Sequence, residues 1–383
     1  MAAKKCSRKL EKGFGVKGAQ RGDTCRVRLP IQGTVRTGQA WQGQNIDEQY
    51  TTMTLSYQKG MDFSMSSKER KLDLNSMTEQ ILKPYIVRLA NEVDKDILQV
   101  AGQACYQAVG TPGTTPTALS TFLGAGKKLT NQTCPRGRGQ RNLMLDADTE
   151  ASMVDNLKAL YANQSALNTQ YDTAEIGYVA GMNWNVDQNV YTHTAGTYTA
   201  QGKVAGANQS GSSLITNTWT SGGTSLKTGD RFTIANVYDV NPVTKAPLPH
   251  LKSFTVMADA TTASNEGDLT IWPPMIFSGA QQTCYLSTGT VEDNTVTYQG
   301  VASTAYTQNL FFHKNAFGLV MVPMVKPPGA IDVGRRTYKG ISVRVIPYYD
   351  GTNDVSNWRL DVLYGTKVID PRLAVRASLA ADI

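Results

Sequence analysis

The fold is organised around residues 71–110, which read KLDLNSMTEQILKPYIVRLANEVDKDILQVAGQACYQAVG. From Leu82 onward, apolar residues recur at steps of three and four, which places them along one face of a helix. Ser76 and Glu79 have the spacing of a capping box, and Pro84 marks the start of the helix or a kink, because proline donates no backbone hydrogen bond. The pattern predicts a helix of roughly 25 to 35 residues, two to three times the average length.

By periodicity alone, this segment is either an ordinary long core helix or a spine that carries two lobes, and the flanking sequence has to distinguish them. Its polar side chains are predicted to face solvent: Arg88, Asn91, Glu92, Lys95, Asp96 and Gln99.

The composition is that of a folded globular protein. The chain has 383 residues, of which 40% are hydrophobic and 18% charged, and this length predicts two or three lobes. No apolar run is long enough to cross a bilayer, and no hydrophobic segment follows the basic N-terminus, so we expect no membrane contact, no secretory signal and a cytosolic site of synthesis. Five scattered cysteines without a CxxC pair predict free thiols and no metal or cofactor site.

The excess of positive charge lies mainly at the start of the chain. The net charge is +7, and residues 1–33 form a predicted irregular arm that ends in the short alternating piece Cys25–Pro30. Such an arm either contacts nucleic acid or an acidic partner, or is a solvated tail.

Residues 34–70 predict a protruding hairpin. Tyr50–Lys59 alternates apolar and polar residues, and the alternation resumes after Gly60, which predicts two antiparallel strands with a break near that glycine. Residues 34–49 are polar around a single Trp41 and have too few apolar side chains to form a core. We therefore expect this loop to lie on the rest of the chain or on a neighbouring molecule.

The remainder of the chain alternates between mixed and all-β sequence. Helices are predicted from Thr117 to Leu129 and from an N-capping Thr149 to Tyr161, with a strand between them at 142–146. From 186 to 306 the chain is rich in Thr, Ser, Gly and Asn, and its short strands, one of them stopped by two prolines at 273–274, predict an inserted small barrel or sandwich. Buried strand sequence resumes at 309–323, and an antiparallel pair fills 341–365.

Catalytic motifs in a supporting context are missing. The three histidines, His193, His250 and His313, fall in separate segments, and His313 reads as a structural histidine beside a buried strand. Residues 13–18 spell GxGxxG, but no strand precedes them, so the dinucleotide-binding interpretation fails its context test. The chain is predicted to be a structural or binding protein rather than an enzyme.

The order of these parts resembles the major capsid proteins of tailed bacteriophages, which have the Hong Kong 97 fold, and the insert resembles that of the coat-protein branch of short-tailed Salmonella phages. The leading arm is shorter than is usual in that family. The stretches that carry the resemblance are Leu89–Asp94 after the hairpin, Leu226–Val237 in the insert, Asn309–Pro323, Leu360–Gly365 and Pro371–Val375.

The resemblance implies an α+β Hong Kong 97 capsid fold with an inserted all-β barrel-like domain. The implied parts are an N-terminal arm (1–33), an extended β-hairpin loop (34–70), a peripheral domain with the spine helix (71–110 and 330–383), an axial domain (111–185 and 307–329) and the inserted β domain (186–306).

The resemblance also implies a function and a set of partners. The chain would self-assemble as hexamers and pentamers of an icosahedral virion shell around double-stranded DNA, with a scaffolding protein and a portal protein as partners, inside the host bacterial cytoplasm. Subunit-interface positions are expected in the hairpin loop, at Arg36, Trp41, Tyr57 and Lys59. The alternatives are a non-catalytic surface- or carbohydrate-binding structural protein, suggested by the Thr- and Asn-rich insert, and an unrecognised hydrolase.

Overall fold

The computed structural model describes residues 24–378 with internal gaps. Residues 32, 34, 44, 46–47, 73–77, 111, 113–114, 158–175, 199–200, 220–224, 262–265, 288, 331–332 and 339 are not described. The predicted arm up to residue 23, the GxGxxG at 13–18, the capping residue Ser76 and the predicted helix end at Tyr161 therefore lie outside the described residues.

Helices are few in the described part of the chain. They are α1 (Ser67–Leu72), a π-helical turn (Thr78–Leu82), α2 (Lys83–Ala104), α3 (Leu119–Asn131), α4 (Ala147–Leu157) and a short 3-10 turn (Pro371–Leu373). The predicted spine helix is thus the 22-residue α2 preceded by the π-helical turn, and Pro84 lies in its first turn, where a missing backbone N–H costs nothing.

Most of the described chain is β-structure. The strands before the barrel are β1 (Thr24–Arg28), β2 (Tyr50–Thr54), β3 (Tyr57–Ser66), β4 (Ala108–Val109), β5 (Arg141–Leu145), β6 (Tyr178–Val179), β7 (Met182–Val186) and β8 (Thr192–Thr194). Those within the insert are β9 (Gly202–Val204), β10 (Gly211–Asn217), β11 (Ser225–Leu226), β12 (Arg231–Val240), β13 (Pro247–Val256), β14 (Ala260–Thr261), β15 (Gly267–Met275), β16 (Cys284–Leu286) and β17 (Thr295–Tyr298). Those after it are β18 (Ala305–His313), β19 (Phe317–Met321), β20 (Gly334–Tyr338), β21 (Ile341–Asp350), β22 (Val355–Val368) and β23 (Ala374–Ser378).

Two sheets enclose α2 and make it a structural spine. The terminal sheet has the order β19-β22-β21-β20, with β3 paired to β22, and the central sheet has the order β4-β23-β18-β5-β7-β6, with β8 paired to β18. The apolar face of α2, including Leu89, Val93 and Ile97, shares one core with Leu360 of the terminal sheet and Leu310 of the central sheet. The helix therefore joins two sheets through one continuous core, as the spine interpretation expects.

The insert forms a closed barrel. Six strands follow the order β13-β15-β10-β9-β17-β12, and pairing between β12 and β13 closes the ring, with β16 attached outside to β12. Its interior is filled by aromatic and branched side chains, including Phe232, Phe254, Trp219 and Ile271. The predicted proline stop is wrong, because β15 continues through Pro273 and Pro274 to Met275 and pairs with β10 there.

The strand break in the hairpin region also differs from the prediction. The chain breaks at Leu55–Ser56 rather than at Gly60, and β3 runs through Gly60 as a ten-residue strand that pairs with β22. A Cβ at Gly60 would lie 2.7 Å from the carbonyl oxygen of Leu360 and 2.8 Å from Asp361 Oδ1. This glycine permits a close approach of two strands, a role that its sequence context does not distinguish from a turn.

The predicted N-cap Thr149 lies inside α4 and is buried, where its hydroxyl accepts a hydrogen bond from Asn309 Nδ2 at 2.9 Å. That prediction is wrong because a buried partner on β18 uses the threonine oxygen. Among the described residues, no helix has the length and apolarity required to cross a bilayer.

Candidate subunit-contact surface and interdomain joints

The hairpin of β1 and β2 is anchored at its base and exposed at its tip. Met53 of β2 is fully buried and packs with Val320 of β19, with Cys25, Val27 and Leu55 around them. The base of the hairpin therefore has a small core of its own, shared with the terminal sheet.

The loop that joins β1 to β2, here called the hairpin tip, exposes apolar side chains that no part of the described chain covers. Trp41 is 87% exposed, Val35 92% and Ile31 57%. The Arg36 guanidinium donates hydrogen bonds to the carbonyl oxygens of Gly38 and Ala40, so it shapes the loop from within. An exposed tryptophan on an anchored loop is typical of a protein–protein contact.

Tyr57 and Lys59, predicted at the same interface, have partners inside the molecule. The Tyr57 ring stacks on Tyr364 at 5.3 Å between centroids. Lys59 Nζ lies 2.9 Å from Glu92 Oε1 and 2.8 Å from Asp96 Oδ2, and the Tyr364 hydroxyl donates to Asp96. Burial disfavours the charged form of Lys59, but the hydrogen bonds and charges of the two carboxylates outweigh it and raise its pKa above the ordinary value of 10.5.

The position of Asp96 contradicts the prediction that it faces solvent. Its side chain is only 10% exposed, because β3 and β22 extend over that side of α2 and supply Lys59 and Tyr364 as partners. Lys59 thus attaches β3 to the spine helix, and Tyr57 packs on β22. A contact of either residue with a neighbouring subunit stays a prediction.

A fully buried arginine joins the barrel to the core. Arg376 of β23 has no exposed surface, and its guanidinium donates to the carbonyl oxygen of Gly102 in α2 at 3.1 Å and to that of Gly229 in the turn before β12 at 2.7 Å. Burial lowers the pKa of Arg376 from its ordinary value. Beside it, His193 of β8 lies 2.8 Å from Asp230, so the entry strand of the insert is fixed at the same place.

A second buried polar joint links the barrel to α3. Asp239 of β12 accepts a hydrogen bond from Gln132 Nε2, at the C-terminal end of α3, at 2.8 Å. His250 Nε2 lies 3.4 Å from the same oxygen, Oδ2, and the other oxygen, Oδ1, lies 2.7 Å from Lys252 Nζ. Burial opposes ionisation of Asp239, but the charge of Lys252 and hydrogen bonds from His250 and Lys252 outweigh it, so its pKa lies below 3.8.

The histidines occupy structural positions. His193 interacts with Tyr191 and Asp230 through its two ring nitrogens, at 3.1 and 2.8 Å. His313 is buried between Gln140 and the backbone N–H of Asn315, and burial with neighbouring Lys314 and Arg141 lowers its pKa. None of these partners is a serine or cysteine nucleophile, which argues against the hydrolase alternative. The described residues contain no group of three or more His, Cys, Asp or Glu side chains that could hold a metal ion.

Sequence reasoning missed both joints. Arg376 stands between Val375 and Ala377 in an apolar strand. A cation in such a strand is the one sequence feature that could have indicated a buried arginine. Asp239 and Gln132 are 107 residues apart, and nothing in either local pattern indicates that they meet.

The fold defines the structural class: it is the Hong Kong 97 fold of tailed-phage capsid structures. A solved structure of Mycobacterium phage Che8 superimposes with a TM-score of 0.53 at 13% sequence identity and covers 98% of this chain and 90% of its own. The capsid structure of cyanophage P-SCSP1u gives a TM-score of 0.50 at 10% identity, covering 96% of this chain and 86% of its own.

The family follows from sequence. The model of the P22 coat protein, gene protein 5, matches residues 18–376, nearly the whole chain, and the chain therefore belongs to that family. A curated major capsid protein of Acyrthosiphon pisum secondary endosymbiont phage 1 is 21% identical over 324 residues, which are 80% of this chain and 75% of the relative. The capsid prediction is confirmed: the protein is a structural component of the virion and forms a multimeric shell. The family match spans the whole insert, which favours this function over a carbohydrate-binding one.

Proposed function

We propose that this capsid protein builds its shell as hexamers and pentamers in which the hairpin tip of each subunit lies on its neighbour. The observation that carries the proposal is the exposure of Trp41 and Val35 on a loop whose base, at Met53, is fixed to its own subunit. Burying these apolar side chains on an adjacent copy would remove them from water and stabilise the assembly.

The same proposal assigns each part of the subunit to a domain. The spine helix with 330–383 acts as a peripheral domain, residues 111–185 and 307–329 as an axial domain, and 186–306 as an inserted domain that folds around the barrel core. The inserted domain has support in a barrel sheet and a buried cluster of its own. The peripheral and axial parts share one core around α2, and β19 and β23 each lie in the sheet of the other part.

The proposed partners follow from family membership and charge. The basic arm at residues 1–33 contacts packaged double-stranded DNA through phosphate charge without base readout, and the net charge of +7 supports this role. A scaffolding protein and a portal protein take part in assembly in the host bacterial cytoplasm. The protein is not an enzyme, which the structural roles of its histidines support.

Assembly of a Trp41→Ala variant tests the proposal. We expect the variant subunit to unfold at the same urea concentration as the wild type, because Trp41 makes so little contact within its own chain, while shell yield in sedimentation and electron microscopy falls at least tenfold. The conservative Trp41→Phe variant should retain most of the yield. Normal shells from Trp41→Ala would refute the proposed contact.

A further inference from the structure

A cleft of about 450 Å³ lies where four parts of the subunit meet. Its walls come from the base of the hairpin at Leu29 and Tyr50, the end of α2 at Val100, the barrel at Trp272 and the segment 367–372 before β23. The volume is in the range of sites that enclose small ligands. Gln132 and Lys252 of the second polar joint belong to its lining, whereas the exposed Trp41 and Val35 of the hairpin tip do not.

The lining is largely apolar and continues to the mouth of the cleft. Trp272, Pro273 and Ile276 form one wall, and at the rim Tyr50 is 54% exposed and Met257 38% exposed. These partly exposed side chains offer an elongated apolar group a surface to contact.

Two hydrogen-bonding groups of the lining are buried without a partner. The hydroxyl of Tyr106 and the indole Nε1–H of Trp272 make no hydrogen bond with any described residue. Tyr106 is 1% exposed, and burial raises its pKa well above the ordinary value, so it remains a neutral hydroxyl that can donate. Because buried polar groups are nearly always paired, both indicate a hydrogen-bond acceptor from outside the chain.

The charges around the cleft favour an anion. Lys252 is matched by Asp239, and Arg372 by Asp370 at 2.8 Å, whereas Lys367 is exposed and has no ion-pair partner among the described residues. Asp370 is the only carboxylate among the residues of the lining. Lys245 Nζ lies 3.5 Å from the carbonyl oxygen of Gln282 in the lining, and burial, with a smaller contribution from the charge of Arg372, lowers its pKa.

We propose that the cleft binds a linear amphiphile with an apolar chain and a carboxylate head. The chain lies against the Trp272 and Pro273 wall, and the carboxylate accepts hydrogen bonds from Tyr106 and Trp272 within the field of Lys367. Since the ligand touches the hairpin base, the spine helix and the barrel at once, its binding stabilises their mutual arrangement.

Calorimetric titration of the full-length, unassembled subunit with sodium decanoate tests this inference, with decan-1-ol and decyltrimethylammonium as probes of equal chain length. Decanoate and decyltrimethylammonium are used below their critical micelle concentrations, and decan-1-ol below its solubility limit. Decanoate is expected to bind with a stoichiometry of one, decan-1-ol about tenfold more weakly because it lacks the charge, and the cation not measurably.

Variants locate the binding. Trp272→Phe keeps the apolar wall but removes the donor, and Lys367→Gln removes the unmatched charge, so each is expected to raise the Kd for decanoate about tenfold. Val100→Phe fills the space and should abolish binding. Trp358 stacks on Phe63 in the terminal sheet, away from the cleft. The control variant Trp358→Phe should therefore leave the Kd for decanoate unchanged. Urea unfolding verifies that each variant is folded.

Three results would overturn the proposal. Equal affinity for all three probes would mean unspecific partition into apolar surface. Unchanged decanoate affinity in both Trp272→Phe and Lys367→Gln, measured on folded protein, would place the binding elsewhere. A cleft occupied by a second copy of the chain would make decanoate binding weaken as subunit concentration rises.

Discussion

Replacement of Lys59 by methionine is expected to destabilise the isolated subunit. Lys59 Nζ lies within 3 Å of both Glu92 and Asp96, and the Asp96 side chain is only 10% exposed. Methionine keeps the apolar stem but leaves the Asp96 carboxylate with Tyr364 as its remaining hydrogen-bond donor. Removing one partner of a fully buried ion pair costs roughly 3 to 5 kcal/mol. Because Lys59 is 31% exposed, we expect a loss of about 2 kcal/mol.

A double-mutant cycle separates this ion pair from general packing. Lys59→Met, Asp96→Asn and the double variant are unfolded in urea at pH 7, with far-UV circular dichroism as the signal. Asparagine removes the uncompensated charge, so the double variant should be less destabilised than the sum of the single variants by about 1 kcal/mol. Because the chain has several cores, the free energy is taken from the cooperative transition that the Lys59 substitution shifts.

The pH dependence follows from the raised pKa of Lys59. A lysine whose pKa is higher in the folded state contributes its full stabilisation below the unfolded value of 10.5 and loses it as the pH rises through the folded value. The difference between wild type and Lys59→Met should therefore be constant from neutral pH to about pH 9.5 and shrink above pH 10.5. Surface substitutions usually change the free energy of unfolding by no more than about 0.5 kcal/mol. If Lys59→Met changes it by no more than this but fails to form shells, the residue acts between subunits and the intramolecular assignment is refuted.

Three further changes probe strand contact and the buried polar links. Gly60→Ala places a Cβ 2.7 Å from the Leu360 carbonyl oxygen, so the urea midpoint should fall by the equivalent of about 2 kcal/mol, and an unchanged midpoint would show that the strands separate freely. Asn309→Leu leaves the Asp146 N–H and the Thr149 hydroxyl unpaired and should cost about 3 kcal/mol, measured as the fall of the urea midpoint relative to the wild type. Asp239→Asn removes the carboxylate that pairs with the buried Lys252 and should cost about 3 kcal/mol at pH 7. Because the pKa of Asp239 is lowered in the folded state, the difference in stability from the wild type should vanish only as the pH falls below 3.8. Measuring the urea midpoint as a function of acid pH checks this.

Local periodicity predicts the helices and strands of this fold, but it does not predict which distant segments pair. The apolar repeat of α2 and the alternation of β21 and β22 are properties of short windows, so both could be predicted. Gly60 was interpreted as a break because a glycine at a turn and a glycine under a neighbouring backbone look the same in sequence. Only the approach of β22 distinguishes them.

The prediction that Asp96 of the spine helix faces solvent was wrong for a related reason. Asp96 lies on the polar face, and a carboxylate there is solvated unless another segment supplies a cation. That segment is β3, 37 residues earlier, and neither Lys59 nor Asp96 carries a local mark of the partnership. Of the four expected interface residues, Trp41 and Arg36 lie on the open loop, while Tyr57 and Lys59 have partners within their own subunit.

The two barrel joints have a consequence for how the subunit keeps its shape within a shell. Arg376 and Asp239 attach the barrel through directional hydrogen bonds at two separate points, one to α2 and one to α3. An apolar contact tolerates sliding, whereas a buried donor that loses its acceptor incurs the cost of an unsatisfied polar group. Two such points oppose sliding of the barrel on the core, so we expect rearrangement of the subunit in a shell to occur mainly elsewhere. The hairpin tip, which is held only at its base by Met53 and Val320, is the part of the described chain best able to adjust to neighbours in different positions.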